Sequence, residues 1–160
     1  MATAGKDLSA YAQEAVPNGA NLRIGIVVSE WNAEITEPLF EGARQALYDC
    51  GVLEAHLLRW NVPGSFELTF GCKRMISTEQ VDAIIAIGSV IRGETSHFDF
   101  VCSATAQGIK DLNVLTDVPV IFCVLTDDTL QQAKDRSGGK HGNKGTEAAI
   151  AALKMAVLGK

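Results

Sequence analysis

The chain has 160 residues, of which 47% are hydrophobic and 21% charged, the balance of one compact domain able to bury a core without disulfide staples. Its net charge of −5 argues against a nucleic-acid-binding surface as the main function. No apolar run approaches the roughly 20 residues of a membrane-spanning helix, and Met1 to Ala20 lacks the apolar centre of a signal peptide, so a cytoplasmic location is expected.

Residues 1–20 read as a mostly loose arm, ending in the turn chemistry of Pro17-Asn18-Gly19. Leu22 to Val28 is the first expected strand. After Ser29-Glu30-Trp31-Asn32 a helix runs to about Cys50, with Ile35, Leu39, Ala43, Ala46, Leu47 and Cys50 on one face, Pro38 near its start and Gly51 at its C-terminal cap. A second strand, about Ala55 to Asn61, leads into Val62-Pro63-Gly64-Ser65-Phe66-Glu67. Leu68, Cys72, Met75 and Ile76 then repeat at helical spacing.

Ala83 to Ile87 is apolar and rich in β-branched residues, as in a strand buried on both faces. Polar, flexible chemistry is expected to follow at once from Gly88, and His97 is expected in the first turn of the next helix. Val118 to Leu125 is the fourth strand, with Pro119 at its edge or start. Thr126-Asp127-Asp128-Thr129 caps a fourth helix, Ser137 to Gly145 breaks it, and Thr146 to Leu158 forms the last one. Strands and helices alternate four times. That order predicts a four-stranded parallel sheet with helices on both faces, a three-layer αβα sandwich. So small a sheet, with apolar surface left over on alanine-rich helices, points to an oligomer.

Cysteines at 50, 72, 102 and 123 sit in apolar segments, with no C-x-x-C pair and no histidine at metal-ligand spacing. They read as small core residues, and no metal is expected.

In parallel α/β sheets ligands bind where strands end and helices begin, because unpaired helix N–H groups favour anions there. The candidate groups therefore come from the ends of all four strands: Trp31, Ser65-Phe66-Glu67, Ser89 through His97, and Phe122 with Arg136 beyond it. Trp31 is suited to stacking on a planar ligand or to packing on its own helix. Glu67 either accepts from a ligand or complements a helix dipole. His97 is either a proton-transfer group or an incidental helix-start histidine. Arg136 precedes a glycine-rich loop and suits bidentate phosphate binding, unless that loop is a mere connection with Lys140 and Lys144 solvated. Neither a Walker motif nor a dinucleotide fingerprint is present.

Taken together, Val62-Pro63-Gly64-Ser65-Phe66-Glu67-Leu68, Gly88 through Phe100, Val118-Pro119-Val120-Ile121-Phe122 and Arg136 through Gly145 resemble the signature segments of the 6,7-dimethyl-8-ribityllumazine synthases. The resemblance runs in unbroken order from about residue 22 to 157. It implies a flavodoxin-like topology over residues 21–160, with 1–20 as an appended arm. It implies a transferase of riboflavin biosynthesis that condenses 5-amino-6-(D-ribitylamino)uracil with 3,4-dihydroxy-2-butanone 4-phosphate, releasing phosphate and water without a cofactor.

By the same resemblance, Trp31 stacks on the pyrimidine, and Ser65, Phe66, Glu67, Ser89, Val90 and Ile91 hold the uracil and ribityl groups. Phe122 reaches the ring from the adjacent subunit. Glu94, Thr95 and Arg136 bind the phosphate ester, Lys144 is a further candidate there, and His97 transfers protons. Pentamers are implied, in many members gathered into icosahedral shells, with riboflavin synthase as an associated partner. Three positions depart from the pattern: Trp31 stands where phenylalanine is frequent, Glu94 where a small residue is, and Cys123 where glycine is. A Glu94 carboxylate would repel phosphate, so its backbone N–H is the expected contact. A competing reading is a non-catalytic module of the same fold that holds a flavin or another phosphate-bearing ligand, or a container.

Overall fold

A computed structural model describes residues 7–159. Four parallel strands, β1 (Ile24–Ser29), β2 (Leu57–Val62), β3 (Ala83–Ile91) and β4 (Val120–Asp127), form one sheet in the order β2-β1-β3-β4. Among the described residues five α-helices accompany them: α1 (Ala33–Asp49), α2 (Leu68–Thr78), α3 (His97–Leu115), α4 (Leu130–Arg136) and α5 (Lys144–Ala156). The expected αβα architecture is present.

Side-chain alternation along the strands builds the two cores. Ile24, Ile26 and Val28 of β1, with Ala83, Ile85 and Ile87 of β3, pack against α1 and α5. Val27, Ile84 and Ala86 face the other way, onto Leu68, Cys72 and Met75 of α2 and Ile109 and Leu112 of α3. The central strands β1 and β3 are thus apolar on both faces. Each fully buried isoleucine contributes about 1.5–3 kcal/mol relative to exposure. Cys72 and Cys123 belong to these cores, and burial pushes both thiols up to about 12. All four cysteines are free, with Cys102 the least buried.

The structure corrects several boundaries. β3 does not end at Ile87 but runs through Gly88, Ser89 and Val90 to Ile91, because its ladder with β4 continues to the pair Ile91↔Asp127. Gly88 and Ser89 are therefore sheet residues rather than loop. The stretch 137–145 is not merely a break. It holds a short antiparallel hairpin, β5 (Ser137–Gly139) and β6 (Gly142–Asn143). Asn143 then caps α5 by accepting from the Gly145 N–H, and its amide donates to the Pro38 carbonyl at 2.8 Å, fixing α5 on α1. At the other end of this region the α4 N-terminus has a full capping box between Thr129 and Gln132.

The N-terminal arm is not loose where it is described. Leu8 N–H donates to the His141 carbonyl at 2.8 Å, and Asn143 N–H donates to Ser9 Oγ at 2.9 Å. Residues 1–6 of the arm lie outside the described residues.

Candidate active site

Three strand ends meet at one edge of the sheet. After β1, Glu30 N–H donates to the Val62 carbonyl and Trp31 N–H to the Pro63 carbonyl, at 2.8 and 3.1 Å, which lashes the segment to the end of β2. Trp31 is held there with 71% of its surface exposed. Asn32 follows in the left-handed conformation (φ 61°), which asparagine tolerates better than most residues. This turn lets its side-chain amide donate to the Ser89 carbonyl at 3.0 Å, joining the ends of β1 and β3.

After β2, Pro63 and Gly64 lead into a single 3₁₀ turn, Ser65–Glu67, which precedes α2. Glu67 thus stands just before the helix rather than in its first turn. The Ser65 carbonyl accepts from Thr105 Oγ1 of α3 at 3.2 Å, while Phe66 stays 59% exposed. After β3 the chain passes through Arg92 to Ser96 and starts α3 at His97, whose N–H donates to Thr95 Oγ1.

Together these segments enclose a cavity of about 690 Å³, of the size of a small-molecule site. Trp31, Ser65, Phe66, Glu67, Ser89, Val90, Ile91, Thr95 and His97 all line it, so nine expected site residues come together. Glu94 lies exposed between Gly93 and Thr95, both of which line the cavity, while Glu94 itself does not. Ser65 Oγ and Ser89 Oγ are buried and have no hydrogen-bond partner in the protein, exceptions to the rule that buried polar atoms are matched.

Three expected residues lie elsewhere. Phe122 is not at the end of β4 but its third residue, paired with Ala86, and alternation places it with Val120 and Val124 on the α2–α3 face. Arg136 ends α4, where Nη1 donates to the Gln132 carbonyl at 3.0 Å and lies 3.7 Å from Asp127 Oδ1. Lys144 is not solvated, since it pairs with Glu147 at 2.7 Å with only 17% of its side chain exposed. None of the three borders the cavity of its own subunit. The actual end of β4 is Asp127, a buried carboxylate whose Oδ2 has no protein partner. Burial pushes its acid upward, Arg136 pulls it back, and Asp128 adds to the rise.

The cavity also uses residues that sequence reasoning passed over: Asn32, Pro63, Gly64, Phe98 and Val101. Val101 had a signal available, because it stands four positions beyond His97 on the same helix face. For Asn32 the hint was its tolerance of left-handed backbone just after a strand.

A concave site at the carboxyl ends of a parallel sheet, with a histidine on the first turn of a helix, defines an α/β protein that binds a small molecule where proton transfer is possible. Residues 21–160 match the family model of 6,7-dimethyl-8-ribityllumazine synthase. Proteins of that name are similar to this chain over almost all of its length. The one from Christiangramia forsetii is 64% identical, over 100% of this chain and 96% of its own. The one from Flavobacterium psychrophilum is 63% identical over 99% and 84%, and that of Parabacteroides distasonis 54% over 97% and 97%. The chain belongs to the 6,7-dimethyl-8-ribityllumazine synthase family, and it is an enzyme of riboflavin biosynthesis.

Proposed function

We propose that the cavity bounded by Trp31, Ser65–Glu67, Ser89–Ile91 and His97 is where 5-amino-6-(D-ribitylamino)uracil condenses with 3,4-dihydroxy-2-butanone 4-phosphate. The observation that carries this assignment is the gathering of Trp31, Ser65–Glu67, Ser89–Ile91, Thr95 and His97 around one cavity at the strand ends, with the Trp31 ring exposed. The indole stacks on the pyrimidine, and main-chain groups of the Ser65–Phe66 and Ser89–Ile91 segments with the Glu67 carboxylate satisfy its polar edge and the ribityl chain.

The chemistry follows from residue types. The 5-amino group attacks the ketone carbon and water leaves as an imine forms. Elimination of phosphate leaves an enol that tautomerises to a second ketone, and the ribitylamino nitrogen attacks it and closes the ring with loss of a second water. Protons move in each step, and His97 takes and returns them. General acid–base catalysis of this kind contributes roughly 10²–10⁴-fold. Confining both reactants together contributes more, since effective molarities correspond to about 7–11 kcal/mol. The phosphate sits at the start of α3, on the main-chain N–H groups around Glu94 and Thr95.

Residues 21–160 form the catalytic unit and 1–20 an appended arm. The site is completed by an adjacent subunit that brings Phe122 to the ring and Arg136, with Lys144 nearby, to the phosphate. This reading is supported by the cavity's open side and by the exposed apolar residues Phe70, Phe100, Val114 and Leu115 on α2 and α3. The assembly is a closed ring of five, able to build an icosahedral shell with riboflavin synthase as its partner, in the cytoplasm. Among the described residues no helix is long and apolar enough to cross a membrane.

The test is to mix the protein with both substrates and follow the fluorescent lumazine together with phosphate. Equal, protein-dependent appearance of both products supports the assignment, and uncatalysed rates alone contradict it. In the same assay His97→Ala lowers turnover by about 10²-fold yet leaves activity above background. Complete loss in a correctly assembled protein would overturn the greater weight of confinement over proton transfer.

A further inference from the structure

Arg92, the first residue after β3, does not line the cavity, yet its side chain gathers three groups around it. Its Nε donates to Asp128 Oδ1 at 2.7 Å, beyond the end of β4. Its Nη1 donates to Asp99 Oδ1 at 3.3 Å, in the first turn of α3. The guanidinium carbon stands 4.1 Å from the centre of the Phe98 ring. Its own N–H donates to the Asp127 carbonyl at 3.0 Å, so the residue is anchored at main chain as well.

These contacts surround the part of the site that packing does not hold. Gly93, Glu94, Thr95, Ser96 and His97 are all exposed. A Cβ added at Gly93 would meet nothing within 4 Å. Exposed residues in an open connection have no core contacts to fix their conformation. The two residues after His97, by contrast, are both held by Arg92: Phe98 through its ring and Asp99 through its carboxylate. Phe98 also lines the cavity. The start of α3 is thereby tied to the ends of β3 and β4.

Surface ion pairs contribute little stability one at a time, so the value of this arrangement is geometric. A planar guanidinium can donate to two carboxylates and stack on an aromatic ring at once, which an ammonium cannot do. Catalytic groups need that precision, since a misplacement of about 1 Å can cost on the order of 10²-fold in rate.

We propose that Arg92 is a positioning residue for the condensation: gripped by Asp128 and Asp99 and stacked on Phe98, it sets the β3–α3 connection and thereby places His97 and the phosphate-facing N–H groups of Glu94 and Thr95. The inference rests on the assignment of the cavity as the condensation site. Its effect is on the half of the site that handles protons and phosphate, because Trp31, Ser65 and Glu67 are held by other contacts.

The experiment compares Arg92→Ala and Arg92→Lys in the wild-type and His97→Ala backgrounds, with assembly and melting temperature checked for each. Arg92→Ala is expected to lower kcat by about 10- to 100-fold and raise KM for the butanone phosphate, with KM for the pyrimidine within about twofold of wild type. Arg92→Lys should recover only part of the loss. On the His97→Ala background the same change should lower kcat by less than about threefold while still raising KM for the butanone phosphate, because the proton-transfer group is already gone and only the phosphate-facing N–H groups remain to be placed.

Equal losses in both backgrounds, a joint rise of both KM values, or full recovery with lysine would overturn the positioning role while leaving the reaction assignment intact. Absence of turnover by the wild-type protein would overturn both. Should Arg92→Ala fail to assemble, Asp99→Ala removes one grip alone and must show a smaller loss of the same pattern; unchanged kinetics there would refute the proposal.

Discussion

Gly88→Ala is the sharpest single probe of how the sheet builds the cavity. Gly88 takes ordinary strand backbone, so alanine suffers no φ strain there. The obstacle is space. A Cβ built on Gly88 would lie 2.6 Å from Ser65 Oγ, 2.9 Å from Leu68 Cδ1 and 3.2 Å from Ser65 Cβ, where ordinary contacts begin at 3.4 Å. Either Ser65 moves by most of an ångström or β3 shifts away from the 3₁₀ turn. Overpacking of this kind costs about 1–3 kcal/mol. In a domain of this size each kcal/mol lowers the melting temperature by about 2–4 °C. Ser65 is proposed to hold the pyrimidine, so kcat/KM for that substrate should fall by about 10-fold or more.

The assays are thermal unfolding and steady-state turnover with the pyrimidine varied. Gly93→Ala is the control for the melting temperature alone, since its added methyl meets nothing and the restricted unfolded chain favours alanine by about 0.4–1 kcal/mol. A Gly88→Ala protein melting within about 1 °C of wild type, with kcat/KM changed less than about twofold, would refute the packing argument.

Two further outcomes follow from the strand ends. Asp127 has its acid raised by burial, so the folded state holds its proton more tightly than the unfolded chain does, and stability falls as pH rises from the ordinary carboxylate range through the raised value, then levels off. Asp127→Asn should therefore gain on wild type in melting temperature between about pH 4 and pH 8, and a difference that is flat or shrinks with rising pH would contradict that sign. Arg136→Ala should raise KM for the phosphate substrate by about 10-fold or more. Co-assembly of Arg136→Ala with Trp31→Ala subunits should restore activity above either parent, because neighbours then supply some sites with both residues; no gain on mixing would place Arg136 and the cavity in the same subunit.

Much of the fold was legible because its signals are local. The β-branched run at Ala83–Ile87 could only be a buried strand, and the apolar face Ile35-Leu39-Ala43-Ala46-Leu47 could only be a helix against a core. All of these residues are buried. What escaped was set by tertiary pairing. Gly88 and Ser89 look like loop chemistry, but the β4 ladder carries them as strand to Ile91. The 137–143 hairpin escaped because glycine and lysine give no strand pattern, and its partner is the N-terminal segment that donates from Leu8 to His141.

The site divides along the same line. Trp31 and Ser65–Glu67 follow strands, Ser89–His97 runs from the end of β3 into α3, and the topology brings these segments together. Phe122 and Arg136 were expected at and beyond the end of β4, and Lys144 by resemblance, but none of the three borders the cavity. β4 ends at Asp127, and Asp127 and the next residue, Asp128, engage Arg136 and Arg92 respectively. That pairing depends on how three loops approach each other, and no spacing in the sequence encodes it.

The central claim is that the pyrimidine sits against Trp31 in the cavity at the ends of β1, β2 and β3. Trp31 is 71% exposed and the other tryptophan, Trp60, lies in β2, so a Trp60→Phe variant isolates the site's own fluorescence. The most direct measurement is a titration of that variant with the pyrimidine substrate alone. Saturable quenching of Trp31 emission at concentrations near KM, absent with orthophosphate and lost in Ser65→Val, is the expected result. Unchanged emission from a variant that still turns over at saturating pyrimidine would contradict the account.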